Sequence, residues 1–459
     1  MSSFIFSSEP VDVKKVNTKY RKISTSIPID GTKKILERLK KTESRSMHGQ
    51  LPLVWDKAKD FSVFDSVGNC WIDFTSTIFV TNVGHSNPRV IEAIKKTLDN
   101  PLFSCYSYAN ELRAEYLELL IKFAGHNFEK AFLLSAGTEA TEAAFKLMRM
   151  HGQKKNKRNN GIITIDGNWH GRTLGAQMLS SNLAQNKWIG YKDEFIHHID
   201  FPYPWHLNNI DPVDFLKSSL IKLQQNGIDL EKDISGIMLE TFQGWGAIFY
   251  PKDWVKEVKK ICIKNNILLA FDEMQSGFGR TGKNFGFEHY EVNPDLICIG
   301  KAMGGGLPLS GVLGKGEVMD LPEVGNMSST HSANPLVCAA GIAVIDEINS
   351  KNLVYESQIK GELLHSKLRE INKKYPDRVS RIQGKGLLAS INFKNEITDE
   401  ADSEFTSRVA EKCMQKGLLV VHTGRESIKI GPPLTISNEA LIEGLEVLEE
   451  SIKENIYDD

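Results

Sequence analysis

The sequence has almost no excess charge of either sign. Its 459 residues contain 56 lysines and arginines and 58 aspartates and glutamates, which gives a net charge of -2. A chain without a charge excess has no overall attraction to nucleic acid or to an anionic membrane. With 25% charged and 41% hydrophobic residues it is typical of ordered proteins rather than disordered ones. We therefore expect small molecules, or a second copy of the chain, as its partners.

Cysteine pairs and membrane-targeting segments are also missing. The six cysteines are scattered without a C-x-x-C pair, which excludes a disulfide framework or a zinc knuckle as the basis of the fold. The first ten residues lack the basic start and long apolar core of a secretory signal. A long charge-free stretch, 328–345, contains His331, Asn334 and Pro335 and so cannot face lipid. We expect a cytoplasmic protein.

The length allows about three domains at roughly 150 residues each, with a core that needs no disulfide or metal. Residues 1 to about 50 are polar and basic and suggest an arm or a partner-contacting segment. We assign residues 1–75 to an N-terminal segment that belongs to a small domain. Residues 76–345 are predicted to form a large domain, and residues 346–459 a C-terminal small α+β domain.

Short apolar runs alternate with helix-length connections in the middle of the chain. This pattern predicts a mostly parallel sheet covered by helices, and hence an α/β fold. The predicted strands are 131–134, 161–165, 234–239, 267–271 and 296–299.

Chemically reactive or polar residues follow each of these predicted strands. Ligands of open α/β sheets bind at the carboxyl ends of the strands. Polar loops there are common in any α/β protein, but five such endings favour one shared site. The endings are 135–139, 166–172, 240–244, 272–277 and 300–306.

Two patterns suggest other functions but match them poorly. The segment 277–284 resembles both G-x-G-x-x-G and a P-loop, but Asn284 occupies the place of the Ser or Thr that binds magnesium. The residues after it, 283–290, are aromatic and interrupted by glycine, and do not predict the helix that a phosphate site requires. The pair His197 and His198 has no third ligand at a suitable spacing, so we predict no metal site.

Lys301 and Asp272 carry the strongest chemical signal. Lys301 directly follows an apolar strand, where loss of solvent favours the neutral amine that forms a Schiff base. Asp272 ends the most apolar predicted strand, and a buried carboxylate there requires a cationic partner, for which a pyridinium nitrogen would serve.

Two further features fit the same ligand. Residues 135–138 open a predicted helix that continues to Met150, and the N-terminus of a helix binds phosphate. Trp169 lies in a glycine-flanked loop and could stack on a flat ring. A lysine, a buried aspartate, a phosphate-binding helix and a stacking aromatic together indicate pyridoxal phosphate.

These segments resemble the signature blocks of the class III pyridoxal-phosphate aminotransferases, the group of the 4-aminobutyrate, ornithine and acetylornithine transaminases. The resemblance runs from about residue 45 to 445. It implies the fold-type-I architecture, with a large sheet-centred domain and a small domain built from both ends of the chain. The blocks are 135–144, 169–173, 272–282, 294–308 and 330–335.

The resemblance also implies a role for individual residues of the cofactor site. Lys301 would hold the cofactor as a Schiff base and shuttle the proton, and Asp272 would pair with the ring nitrogen. Gln275 would contact the ring hydroxyl, and Trp169 would stack on the ring where relatives usually carry Phe or Tyr. The backbone of Gly137 and Thr138 would bind the phosphate. Thr330 would reach the phosphate of a neighbouring subunit, which implies a homodimer with shared active sites.

The substrate site departs from the family. Many relatives place an arginine that clamps the substrate carboxylate at the position of Lys429, and lysine cannot reproduce its bidentate geometry. Arg425 lies four residues earlier and could replace it. Glu240 matches a family glutamate that pairs with that arginine.

The predicted activity is transfer of an amino group from an amino acid or ω-amine to a keto or aldehyde acceptor by a ping-pong mechanism. Three alternatives are kept open. An aminomutase of the glutamate-1-semialdehyde type would share the fold and Lys301. A nucleotide-binding protein would use residues 277–282, and a structural protein would retain the site without its activity.

Overall fold

The computed structural model describes residues 4–207 and 209–457. The chain forms two compact units. The terminal unit comprises Met1–Asn87, Trp245–Ala247 and Tyr355–Asp459, and the central unit comprises Pro88–Gly244 and Ile248–Val354.

The α-helices range from single turns to more than five turns. They are α1 (Thr32–Thr42), α2 (Ser76–Phe79), α3 (Pro88–Asp99), α4 (Glu111–Ala124), α5 (Gly137–Lys154), α6 (Leu174–Leu179), α7 (Leu183–Asn186), α8 (Pro212–Gln225), α9 (Leu230–Asp233), α10 (Lys252–Lys264), α11 (Gly316–Met319), α12 (Pro335–Ser350), α13 (Leu353–Lys374), α14 (Ser403–Gln415) and α15 (Asn438–Tyr457).

The strands are short. They are β1 (Val16–Asn17), β2 (Lys22–Ile23), β3 (Lys57–Lys59), β4 (Ser62–Phe64), β5 (Cys70–Asp73), β6 (Lys130–Leu134), β7 (Gly161–Ile165), β8 (Ile196–Ile199), β9 (Ile234–Glu240), β10 (Phe242–Gln243), β11 (Ile248–Phe249), β12 (Leu268–Asp272), β13 (Leu296–Ile299), β14 (Ser310–Gly314), β15 (Val379–Lys385), β16 (Leu388–Phe393), β17 (Leu418–Leu419), β18 (Val421–His422) and β19 (Ser427–Ile430).

A seven-stranded sheet forms the middle of the central unit, in the order β6-β14-β13-β12-β9-β7-β8. All the predicted strands are present in it as β6, β7, β9, β12 and β13, and they run in the same direction. Two further strands of the sheet were not predicted. Strand β8 lies at one edge, and β14 lies next to the strand at the other edge and is antiparallel to both of its neighbours. The α/β fold with a mixed, mostly parallel sheet is therefore confirmed.

Helix α5 covers this sheet through one apolar face. Ala140, Ala144 and Leu147 recur at helical spacing and are fully buried in the same core cluster as strand residues of β12 and β13. A buried leucine side chain contributes about 1.5–3 kcal/mol to stability. The helix extends four residues beyond the predicted end at Met150. Its packing fixes where its N-terminus lies relative to the strand ends.

The terminal unit contains two sheets that are smaller than the central one, and strands β4 and β5 of one of them form a hairpin. Strand β17 pairs in parallel with β5, with Leu418 opposite Ile72, so residues from both ends of the chain share one sheet. The N-terminal segment predicted to be an arm lies against its own unit. Its residue Arg21 donates to Glu443 over 2.6 Å.

Helix α2 has an unusual backbone. Residues Ser76 to Phe79 all have positive φ values, between 45° and 67°, although none is glycine. The Asp73 carboxylate accepts from the N–H groups of Thr75 and Ser76, which holds the start of this left-handed turn. None of the helices that the structure describes is long and apolar enough to cross a membrane.

Candidate active site

The carboxyl ends of the central strands converge on a cavity of about 290 Å³. In the sheet register, Asp272 at the end of β12 lies opposite Glu240 of β9 and Cys298 of β13. Parallel strands end at the same edge of the sheet, and this is why residues far apart in sequence meet there. The predicted site residues that line the cavity are Gly137, Thr138, Trp169, Glu240, Asp272, Gln275 and Lys301.

Asp272 is 6% exposed and lies at the base of the cavity. Its Oδ1 atom accepts a hydrogen bond from the N–H of Met274 at 3.1 Å. Its Oδ2 atom lies 2.9 Å from Nδ1 of the buried His170, which donates to it. The carboxylate is thus held in a fixed orientation and is suited to a cationic group in the cavity.

Lys301 follows β13 and begins a 3-10 turn, Lys301–Gly304. Its φ of 47° lies in the left-handed region, which costs free energy for a residue with a side chain and turns the chain sharply at the strand end. Burial lowers the pKa of Lys301, while the Asp272 and Glu240 carboxylates act in the opposite direction. A lowered pKa makes the neutral, nucleophilic amine more accessible.

The N-terminus of α5 opens onto the cavity at Gly137 and Thr138. The first N–H groups of a helix have no partner within the helix and attract anions. A Cβ atom at Gly137 would lie 2.8 Å from Sδ of Met274, so a side chain there would displace Met274 in the cavity wall. The glycine keeps this end of the cavity open for an anion such as a phosphate.

Trp169 lines the cavity, and the loop that carries it is fixed to the strand ends. The backbone N–H of Trp169 donates to Oε2 of Glu240 at 3.0 Å. The guanidinium of Arg172 lies 4.3 Å from the centre of the indole ring, a cation–π contact. Arg172 also lines the cavity and is a cation that the sequence analysis did not assign.

Gln275 is held close to the end of β9 because Gly244 has no side chain. A Cβ atom at Gly244 would lie 2.5 Å from Nε2 of Gln275 and 2.7 Å from Oε1 of Glu240. The N–H of Gly244 also donates to Oε2 of Glu240. Glu240 therefore orders both the loop that carries Trp169 and the chain next to Gln275.

The residues that follow the segment resembling a P-loop surround the buried carboxylate of Glu273. Residues Gly286–Tyr290 form a 3-10 helix, which corrects the prediction that this stretch has no helical structure. The N–H groups of Gly286 and Phe287 both donate to the carboxylate of Glu273 at 2.7 Å. Burial raises the pKa of Glu273 to about 7, against the effect of these and two hydroxyl donors. The N–H groups at the start of this 3-10 helix therefore bind Glu273, a residue of the protein itself.

His197 and His198 lie on the edge strand β8. Nδ1 of His198 is 3.6 Å from the carboxylate of Asp166, and burial lowers the pKa of His197. Among residues 4–207 and 209–457, no group of three or more potential metal ligands is found.

Three predicted site residues lie outside this cavity. Thr330 is exposed and does not line it. Lys429 belongs to the terminal unit, where it is 5% exposed and its Nζ lies 5.0 Å from the ring centre of Phe79. Arg425, also in the terminal unit, is exposed and stacks on Trp245 at 3.8 Å.

No role was predicted for His170 or Arg172, although both lie in the segment 169–173. A histidine or arginine in a loop is compatible with many roles, so the residue type alone was uninformative. Their partners are identified only by the tertiary structure: Asp272 for His170, and the Trp169 ring for Arg172.

These residues fit pyridoxal phosphate. The cavity combines a partly buried lysine with a lowered pKa, a carboxylate suited to a ring nitrogen, and a helix N-terminus kept open by a glycine. No other group in the described chain pairs with the free side of Asp272, so a cationic ligand would complete it.

Comparisons with known proteins lead to the same family. The family model described as Aminotransferase class-III matches residues 44–452. The chain is 32% identical over 421 residues to the acetylornithine aminotransferase of Clostridium acetobutylicum, which covers 90% of this chain and 100% of that protein. It is 33% identical over 413 residues to the 5-aminovalerate aminotransferase of Pseudomonas putida, covering 88% and 95%.

A solved structure of an aminotransferase from Bacillus anthracis has the same fold. Its TM-score is 0.83 at 26% identity, and the match covers 92% of this chain and 98% of that one. The family model and the curated relatives cover nearly the whole of this chain, including the strand ends that form the cavity. The chain therefore belongs to the class III aminotransferases and is a pyridoxal-phosphate-dependent transaminase.

Proposed function

We propose that the amino donor is an amine at the end of a chain that carries a carboxylate, and that the acceptor is a keto acid or an aldehyde. The observation that carries this proposal is Arg172, a cation at the cavity that is not needed to bind the cofactor ring. The relatives named for acetylornithine and 5-aminovalerate support it, because both compounds have an ω-amino group and a carboxylate.

The proposed roles at the cofactor follow from the contacts above. Lys301 attaches the cofactor, Asp272 pairs with the ring nitrogen, and Gln275 contacts the ring hydroxyl. Trp169 stacks on the ring, and the N–H groups of Gly137 and Thr138 bind the phosphate. All of these residues line one cavity, which supports the assignment.

When bound, pyridoxal phosphate supplies an electron sink for the carbon that carries the amine. Lys301 would hold the cofactor through Nζ, and once released its neutral Nζ would take the proton from that carbon and return it to a neighbouring atom. Asp272 stabilises the proton on the nitrogen that it faces, and His170 holds the carboxylate in place. Trp169 shields one face of the reacting group from water. Two half-reactions of this kind give ping-pong kinetics.

A panel of donors and acceptors tests the proposal. With 2-oxoglutarate as acceptor, 5-aminovalerate or N-acetylornithine should bleach the visible cofactor band and yield glutamate, while a plain alkylamine should be a poorer donor. The comparisons favour transamination over an internal amino shift. A pure, cofactor-loaded protein that transfers nitrogen to no keto acid or aldehyde would contradict the proposal.

Lys429 is proposed to bind the substrate carboxylate, and Glu240 is proposed to contribute to substrate binding. Lys429 is buried, whereas Arg425 is exposed and pairs with Glu426 as well as Trp245. This difference supports Lys429 over Arg425.

Replacing either Arg172 with glutamine or Lys429 with alanine should lower kcat/KM for carboxylated donors by about tenfold or more, because an ion pair to the carboxylate is lost. The same variants should change kcat/KM for an alkylamine little. Arg425→Ala is the matched control and should behave as the wild type. Equal losses for both donor classes would instead indicate a general structural effect.

A homodimer with shared active sites is also proposed. Exposed apolar side chains in the segment after α3 support it, among them Leu102, Phe103 and Tyr108, which are 46%, 59% and 79% exposed. Exposed Thr330 would then reach the phosphate bound by the neighbouring subunit. Analytical ultracentrifugation should give twice the chain mass, and Phe103→Asp should lower the dimer fraction; a wild-type monomer with full activity would contradict this proposal.

Two further predictions stay open. The division into a large domain, 76–345, and a small domain from 1–75 and 346–459 is proposed as the functional organisation. A cytoplasmic location is proposed as well, and the six free cysteines fit a reducing compartment.

A further inference from the structure

The loop 169–173 is fixed to the rest of the central unit at two separate places. At its start, the backbone N–H of Trp169 donates to a carboxylate oxygen at the end of β9, over 3.0 Å. The hydroxyl of Thr141, in α5, donates to the carbonyl oxygen of His170 at 2.8 Å. These contacts hold the part of the loop that carries the Trp169 ring. The end of the loop has a different anchor.

Glu142, in the second turn of α5, provides the anchor at the end of the loop. Its Oε1 atom accepts from the hydroxyl of Thr173 at 2.6 Å and from the N–H groups of Gly175 and Ala176 at 2.8 and 3.1 Å. Gly175 and Ala176 stand in the first turn of α6, where N–H groups have no partner within the helix. Glu142 thus does for α6 what an N-cap side chain does in other helices.

Two hydroxyl groups extend this anchor to the phosphate end of the cavity. An ionised carboxylate can only accept, so the Thr173 hydroxyl is the donor to Glu142. The hydroxyl oxygens of Thr138 and Thr173 lie 2.7 Å apart. Because Thr173 already donates its proton to Glu142, Thr138 is the donor between them. The Thr138 hydroxyl therefore binds the loop, which leaves the phosphate to its backbone N–H.

Two glycines let the chain lie directly against the first turns of α5. A Cβ atom at Gly175 would lie 2.4 Å from Oε2 of Glu142, and one at Gly171 would lie 2.2 Å from Oγ1 of Thr138. Gly171 also has a φ of 141°, which disfavours a side chain. The contact between the loop and α5 therefore depends on these residues specifically.

Arg172 lies between the two anchors. It is exposed, its guanidinium lies 4.3 Å from the centre of the Trp169 ring, and it lines the cavity, whereas Glu142 does not. A long side chain on the surface has many rotamers, so the position of its backbone decides where its charge can reach. That backbone is continuous with Thr173, which Glu142 holds.

We propose that Glu142 is a positioning residue for the amino donor: it fixes the end of the loop so that Arg172 meets the donor carboxylate. It acts through Thr173 and the start of α6 and touches neither the donor nor the cofactor. This inference rests on the proposed function, in which Arg172 binds that carboxylate. Because Trp169 has its own anchor, the contact with the cofactor ring does not depend on Glu142.

The test compares two donors of the cofactor-loaded Glu142→Ala variant, with 2-oxoglutarate as acceptor. One donor is 5-aminovalerate, and the other is pentylamine, which has no carboxylate. The KM for 5-aminovalerate should rise about fivefold or more with little change in kcat, because Arg172 is no longer held in place. The KM for pentylamine, the visible spectrum and the cofactor affinity should stay as in the wild type.

Three further variants separate positioning from a general loss of structure. Glu142→Gln keeps an oxygen where Oε1 accepts all three hydrogen bonds, and should restore most of the affinity for 5-aminovalerate. Gly175→Ala leaves Glu142 present but displaces its carboxylate, and should reproduce the rise in KM. Glu115→Ala removes an exposed glutamate of α4 and is the matched control, with wild-type kinetics expected.

A double variant tests whether Glu142 acts through Arg172. In the Arg172→Gln background, Glu142→Ala should lower kcat/KM for 5-aminovalerate by less than about twofold, because the loop then carries no cation to position. A full fivefold loss in that background would overturn the inference. An unchanged KM in the single Glu142→Ala variant, or equal losses for both donors, would overturn it too.

The proposed function fails in a different way. If Arg172→Gln affects both donors alike, Arg172 does not bind the carboxylate, and the proposed function and this inference are both wrong. If Arg172→Gln affects only 5-aminovalerate while Glu142→Ala affects neither donor, the inference alone is wrong.

Discussion

Replacing Lys301 with alanine should remove the visible absorbance of the loaded enzyme and lower the rate of transamination by at least about 10⁴-fold, because this one residue is proposed to supply both the attachment of the cofactor and the proton transfer. Burial lowers the pKa of this lysine and keeps its amine reactive. Absorbance spectra and single-turnover kinetics with 5-aminovalerate measure the two effects separately.

Lys283→Ala is the control for this experiment. Lys283 is exposed and stands in the glycine-rich segment that resembles a P-loop. It should retain the wild-type spectrum and rate. If Lys283→Ala abolished the activity while Lys301→Ala retained the visible band, the site would have been assigned to the wrong lysine and the wrong segment.

Asp272→Asn should lower kcat by about 10²–10³-fold, because the amide has the shape of the carboxylate but lacks its charge toward the ring nitrogen. Cofactor affinity should fall as well, and equilibrium dialysis measures it. The apoenzyme should be no less stable to heat than the wild type, because the substitution removes a buried charge whose ligand is absent in that form.

Asp166→Asn is the matched control for Asp272→Asn. Asp166 follows β7, which is separated from β12 by β9 in the sheet, but its side chain is 51% exposed and does not line the cavity. Wild-type kinetics are expected. A variant Asp272→Asn with normal kcat would show that the carboxylate is not the partner of the ring nitrogen, even if Lys301 is correctly assigned.

Much of the central unit could be predicted because its signals are local. The apolar runs that became β7, β9, β12 and β13 are buried along their whole length, so each has a continuous apolar sequence. Strand β8 was missed because its two central residues are His197 and His198, which are polar. Strand β14 was missed because it begins and ends with Ser310 and Gly314 and has too little apolar sequence of its own.

Part of the candidate site could also be predicted from local sequence. Asp272 and Lys301 stand immediately after buried strands, and their sequence position alone places them at one edge of the sheet. The choice between Lys429 and Arg425 was not predictable, because both are cations near the same strand. Only their environments differ: Lys429 is buried over Phe79, and Arg425 lies on the surface against Trp245.

The sequence by itself predicted the family and the strand ends that form the cavity, together with the residues proposed to bind the cofactor, because each of these depends on residue type at a local position. The tertiary structure alone decided what surrounds Asp272. His170 and Asn168 come from the loop after β7, and the fold brings His170 against the carboxylate and Asn168 against His170. Hydrogen-bond direction depends on which atoms face each other, and residue order does not contain that information.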